Sequence, residues 1–282
     1  MKKNRIASFL IVFVIYILAS ILGIVIYNFL DYGFVFNLLI ADVIATVFVF
    51  IFSVLLNNAS VYDPYWSVQP IVIVIALMFK NGISSASLVP SIAVILWGIR
   101  LTMNWAYTFK SLEHQDWRYT MLQKKTKAMY PIVNFLGIHM VPTIIVYLCV
   151  LPLAYLYEYP NDTSILSIIF VLISCFAFTI QAISDVEMHK FRKKKEGNFI
   201  RNGLWKYSRH PNYLGEIMMW WGIGLSVVSI LPNHYFLLIG AFLNTLLFLF
   251  ISIPMAEEHQ RSRKEGFDQY KKETRMLLPI KK

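Results

Sequence analysis

Residues 6–28 read IASFLIVFVIYILASILGIVIYN, 23 positions without a charged side chain. About 20 apolar residues suffice for a helix to cross a bilayer, so this stretch is a span. Its apolar run exceeds the roughly 7–15 residues of a signal-peptide core, and it is read as retained. The same reading gives further runs at 36–56, 66–80, 88–107, 134–157, 164–184, 213–231 and 235–256, of which 66–80 is the weakest. With 57% hydrophobic and 15% charged residues, the chain lies outside the range of soluble domains. The fold class expected is an all-α, polytopic membrane bundle of seven to eight helices.

Orientation follows from the cations, because loops rich in Lys and Arg stay cytoplasmic. With Lys2, Lys3 and Arg5 inside, eight spans put Lys110–Lys127, Lys190–Arg209 and Arg261–Lys282 inside as well, and only Lys80 outside. The connections 29–35, 158–163 and 231–234 contain no Lys or Arg. Both termini are therefore expected in the cytoplasm, with any chemistry on that face. The membrane is the cell membrane in a prokaryote and the endoplasmic reticulum in a eukaryote. The net charge of +10 fits contact with anionic lipid headgroups or an anionic cofactor, whereas cations scattered over short loops argue against nucleic acid. Cys149 and Cys175 both fall in spans, so no disulfide framework or metal site is expected. There is no internal repeat, and the division expected is two N-terminal helices, 1–60, joined to a catalytic membrane domain, 61–282. Oligomeric state is not readable from the sequence.

Four polar groupings stand out. In QAISDVEMHKFRKKK (181–195), continued helix puts Gln181, Asp185, His189 and Arg192 on one face, a polar stripe entering the membrane or an interfacial band with snorkelling cations. In SRHPNYLGE (208–216), Pro211 suits the first helical position. Arg209, His210, Asn212, Tyr213 and Glu216 then surround a helix start that suits a phosphate or carboxylate. In VYDPYWSV (61–68), Asp63 reads as a helix cap with Pro64 at the first position and Tyr65 and Trp66 as interfacial aromatics; Asp63 is also a candidate proton donor. In LWGIRLTMNW (96–105), Arg100 lies deep enough in its span to call for a carboxylate partner, with Asp63 and Glu216 as candidates. The loop EHQDWRY (113–119) and the tail from Glu257 to Arg275 are also rich in groups able to bind.

Taken together, DPYW (63–66), WGIRL (97–101), EHQDWRY, DVEMHKFR (185–192), GLWKYSRHPNYLGE (203–216) and a closing EEH…GF..Y…LP pattern ending at Pro279 resemble the steroid 5α-reductase-like membrane proteins. The resemblance implies NADPH held by the C-terminal spans and loops, and an enone lipid, such as a 3-oxo-Δ4-steroid, taken from the bilayer and reduced at its C=C bond. On it, Asp185, Arg192, Asn212 and Glu216 become cofactor-binding residues, Gln181 replaces a family Asn, Arg201 matches an upstream Arg, and His259 or Gln260 matches a histidine near the cofactor. The family's carbonyl-binding Glu falls on Asp63, to which Arg100 and Tyr65 are assigned as helpers. Its catalytic Tyr falls near Trp97, which has no phenolic proton. The RHPNYLGE string is similar also to sterol C=C reductases and to isoprenylcysteine and phospholipid methyltransferases, which use S-adenosylmethionine. The alternatives to a reductase are thus such a methyltransferase or a noncatalytic lipid-binding protein.

Overall fold

The computed structural model describes residues 2–194 and 197–278. Lys195, Pro279 and Lys282, each part of a stretch singled out above, lie outside the described residues. The described residues are helical throughout with no strand. Seven segments are long and apolar enough to cross a membrane: Arg5–Phe29, Phe34–Leu55, Ala59–Asn81, Ser85–Thr108, Trp117–Glu158, Ile165–Lys194 and Pro232–Arg261. The eighth expected span is the helix Pro211–Val228, which is not among them because Asn212, Glu216 and its three glycines lower its hydropathy. The outward faces of the spans are apolar, with Phe13, Phe79, Leu172 and Phe250 each more than 60% exposed, as lipid contact requires.

The chain divides into two compact units, Met1–Asp162 and Thr163–Lys282. The first contains α1 (Arg5–Phe29), α2 (Phe34–Leu55), α3 (Tyr65–Asn81), α4 (Ser85–Thr108), α5 (Trp117–Thr126) and α6 (Val141–Glu158). Buried positions on α1 are Ser8, Val12, Ile15, Tyr16 and Ala19, a 3–4 residue rhythm that marks one inward stripe. They pack into a core with Ala45, Val49, Tyr62, Tyr65 and Phe109. α3 and α4 approach closely at Gly98, where an added Cβ would lie 2.6 Å from the Ser67 carbonyl oxygen.

Two helix starts differ from the sequence expectation. Asp63 does not cap α3. A 3-10 turn, Ala59–Tyr62, precedes it and is capped by Asn58, whose side chain accepts from Ser60 N at 2.8 Å. Asp63 already has helical angles (φ −50°, ψ −46°), so its carboxylate is free to reach another segment. Tyr65 is buried rather than interfacial, 5% exposed, with its ring 5.4 Å from Tyr16 and 5.6 Å from Tyr62. The fifth span also begins differently, with a π-helical stretch, Val133–Met140, ahead of α6.

The second unit contains α7 (Ile165–Lys194), α8 (Pro211–Val228), α9 (Ile239–Leu247), a π-helical turn (Phe248–Ser252), α10 (Ile253–Arg261) and α11 (Phe267–Glu273). α7 and α8 meet backbone to backbone. A Cβ on Gly215 would stand 2.5 Å from the Ala177 carbonyl oxygen, and one on Gly222 would stand 2.1 Å from Ser174 Oγ and 2.8 Å from the Phe170 carbonyl oxygen. Seven residues apart on α8, these glycines form one smooth seam, and Ser174 Oγ crosses it to donate to the Met219 carbonyl at 2.9 Å.

Overpacking of this kind costs about 1–3 kcal/mol. Gly222→Ala is expected to lower the unfolding temperature of detergent-purified protein, whereas Gly137→Ala, whose nearest neighbour would be at an ordinary 3.8 Å, should leave it level or raise it.

Candidate functional site

α7 runs unbroken through the polar stripe of the sequence, so Gln181, Asp185, His189 and Arg192 share a helical face. Exposure rises along it: Gln181 is buried at 1%, Asp185 and His189 are half-buried, and Arg192, Lys193 and Lys194 are exposed. Facing the deep end is α8, whose first helical residue is Pro211 with His210 at the cap position, as the sequence indicates. Gln181 Nε2 donates to Glu216 Oε2 at 2.6 Å, and Trp220 Nε1 donates to Glu216 Oε1 at 2.9 Å. Two residues 35 positions apart in sequence are thus bonded to each other in the interior of the unit. The Gly215 seam makes this contact possible, since a side chain there would strike Gln181 itself.

The loop between these helices is folded against α7. Trp205 Nε1 donates to the Ser184 carbonyl at 2.9 Å, and the Leu204 amide donates to Glu187 Oε2 at 3.0 Å. The Glu187 carboxyl group fills the space where residue 203 would carry a side chain, and Gly203 also has φ +56°; both conditions require glycine.

Arg209 and His210 point into the protein. Arg209, 5% exposed, donates from Nε and Nη2 to Glu257 Oε1 at 2.9 and 2.6 Å, and from Nη1 to the carbonyls of Thr274 and, at 3.3 Å, Lys271. His210 Nε2 lies 3.3 Å from the same Glu257 oxygen, and Lys271 Nζ is 3.1 Å from the other. The His210 ring stacks on Tyr213, 5.3 Å away, and Tyr213 meets Phe248 at 4.8 Å. Backbone bonding between Arg209 N and the Arg275 carbonyl at 2.9 Å completes the tie. These residues join the start of α8 to α10 and the tail; Glu257, the hub, is the residue the sequence reading left without a role. Arg201 pairs with Glu273 and lies 5.5 Å above the Tyr270 ring. That pair holds the Glu273 carboxyl below its ordinary value. Asn212 is half-buried on the first turn of α8. His259, on α10, is half-buried and 3.4 Å from Arg263 Nη1.

In the first unit, the DPYW and EHQDWRY motifs come together. Tyr119 donates its phenolic proton to Asp63 Oδ1 at 2.6 Å, and Arg118 Nη2 approaches the same oxygen at 3.4 Å. Asp116 caps α5 through Arg118 N and holds Arg118 Nε, both at 2.8 Å. The two segments are fastened on either side: Asp116 N donates to Ser60 Oγ at 2.7 Å, the Ala59 amide to Gln115 Oε1 at 3.0 Å, and Asn58 Nδ2 to the Leu112 carbonyl at 2.7 Å. Tyr119 is the phenol that sequence reasoning missed; an isolated Tyr in a polar loop carries no signal of its partner. Trp97 is fully buried on α4, and Arg100 is half-buried one turn further along. A second buried chain of hydroxyls links Tyr62 to Thr143 at 2.8 Å and Thr143 to Thr46 at 3.1 Å.

Among known proteins, a family model described as "Protein of unknown function (DUF1295)" matches residues 49–274, most of the chain. No curated protein matches it.

Removing one partner of a buried ion pair costs about 3–5 kcal/mol, so Arg209→Ala should destabilise the protein by that order in thermal unfolding. His210 also makes the fold pH-sensitive. Burial outweighs its bond to Glu257 and holds the imidazole below its ordinary value of 6.5. The unfolded chain then binds the extra proton, so the contribution is complete above the free value and is lost as pH falls below it. Unfolding temperatures compared at about pH 7.5 and about pH 5.5 should fall on acidification, and His210→Gln should reduce that fall.

Proposed function

The chain belongs to this family, known as steroid 5α-reductase-like, and from that premise we propose that it is an NADPH-dependent membrane oxidoreductase that reduces the C=C bond of an enone-type lipid. The observation that carries the reading is the Gln181–Glu216 bond at the deep end of a stripe that continues through Asp185 and His189 to the exposed Arg192. Four of the residues assigned to the cofactor from the resemblance thereby belong to one α7–α8 surface. Polarity grades from a buried carboxylate and amide to exposed cations, which suits a cofactor with an uncharged reactive end and anionic phosphates.

Arg192 would take phosphate, with Lys193 and Lys194 adding positive charge beside it. Asp185 and Asn212 would hold sugar or amide groups, and the Glu216 carboxylate, fixed by Gln181 and Trp220, would accept from a carboxamide. Arg209, His210 and Tyr213 act as the joint that fixes the start of α8. The bound nicotinamide would supply a hydride to the β-carbon of the enone. The protein's own task is then to meet charge on the carbonyl oxygen with a donor in a dry site. That role goes to Asp63 and Tyr119, which share a proton across 2.6 Å; the phenol replaces the one that Trp97 lacks. Arg118 limits the charge on the pair, and Tyr65 and Arg100 remain assigned as helpers.

Ligand binding stabilises the state that binds, by about 2.7 kcal/mol at a hundredfold excess over Kd. NADPH should raise the unfolding temperature of the purified protein and S-adenosylmethionine should not; the reverse ranking would replace the reductase with a methyltransferase. Arg192→Ala should remove most of the NADPH shift. Tyr119→Phe should leave that shift in place while lowering enone turnover by roughly 10²–10⁴-fold, the usual worth of a general acid.

A further inference from the structure

The first unit encloses a cavity of about 570 Å³ between α1, α2 and α3, within the size range of small-molecule sites. Its wall is almost wholly apolar, supplied by residues such as Ala19, Ala45, Leu38, Val72 and Ala76. Two buried polar side chains interrupt it: Asp42 on α2, 6% exposed, and Gln69 on α3, 4% exposed. Gln69 Nε2 donates to Asp42 Oδ2. Asp42 Oδ1 and Gln69 Oε1 have no hydrogen-bond partner among the described residues.

An ionisable residue within an apolar span is costly and calls for a partner. Here both unmet atoms are acceptors, so the missing partner must bring N–H or O–H donors. The wall around them fits an apolar body. The cavity reaches the apolar surface between Ile24, Ile75 and Phe79, which are 43%, 38% and 88% exposed, so its occupant can come from the bilayer. We propose that this cavity binds a single-chain amphiphile whose donor-bearing headgroup, an ammonium or a hydroxyl, bonds Asp42 Oδ1 and Gln69 Oε1. A fatty carboxylate is excluded, because its oxygens would face two acceptors. α1 and most of α2 precede residue 49, where the family match begins, so the site belongs to this chain's N-terminal helices and stands independently of the reductase reading.

The full chain in lipid nanodiscs can be tested with a diazirine-bearing alkylamine and the matching alkyl alcohol, with labelled residues mapped by mass spectrometry. Labelling is expected on Val72, Ala76 and their neighbours, and should be competed by dodecylamine or 1-dodecanol but not by dodecanoate. Ala76→Phe, which fills the cavity without altering the polar pair, should reduce labelling at least tenfold while leaving thermal stabilisation by NADPH unchanged. In Asp42→Asn the amine should lose far more labelling than the alcohol if the natural head is an ammonium; equal modest losses identify a hydroxyl. Competition by dodecanoate equal to that by the amine would overturn the proposal. So would undiminished labelling in a folded Ala76→Phe protein.

Discussion

In a bilayer, apolar side chains gain nothing by leaving lipid for one another, so helices associate only where shape and polar bonds favour it. The α7–α8 seam meets that constraint with absence of side chain: Gly215 and Gly222 admit the backbone and small side chains of α7. Bonds across the seam then become short, and the Gln181–Glu216 pair is one of them. The same logic operates between α3 and α4 at Gly98. Close helix approach comes first, and the polar chemistry of the interior is a result of it.

The cations of the RHPN stretch illustrate how burial redistributes roles. From the sequence, Arg209 and His210 are ligand-binding candidates because they precede a helix start. In the structure their donors are directed to Glu257, and the backbone of the tail closes on them. A guanidinium meeting a carboxylate and two carbonyls is a rigid joint, and its rigidity fixes where Asn212 and Glu216 stand. Exposed charge is instead gathered at the end of α7.

Much of the architecture was legible because hydropathy over 20 residues is a strong signal; every expected span corresponds to a helix, with bounds shifted by a few residues at most ends. α8 is the weaker case, since the residues that give it interest also lower its hydropathy. Periodicity placed Gln181, Asp185, His189 and Arg192 on one face because i, i+4 spacing is a local property. Pairings distant in the chain were not legible. Asp63 looked like a cap because Asp-Pro so often is one, but the local choice was overridden by a 3-10 turn capped at Asn58, and the carboxylate went to Tyr119. Asp42 could have been found by asking why a carboxylate sits inside a 22-residue apolar helix; its partner Gln69, 27 residues away, could not.

The π-helical stretch Val133–Met140 carries a consequence for how this chain tolerates change. A wide turn amounts to one residue more than a regular helix needs. It lets His139 Nδ1 donate to the Asn134 carbonyl, five residues back, at 2.9 Å, and it sets the rotational phase of all that follows. Loss of a single residue there would restore regular helix and turn α6 by about 100°, carrying Thr143 away from Tyr62 and Thr46. In this segment length, more than residue identity, is the inherited quantity: substitutions adjust the packing, whereas a one-residue deletion re-aims an entire span.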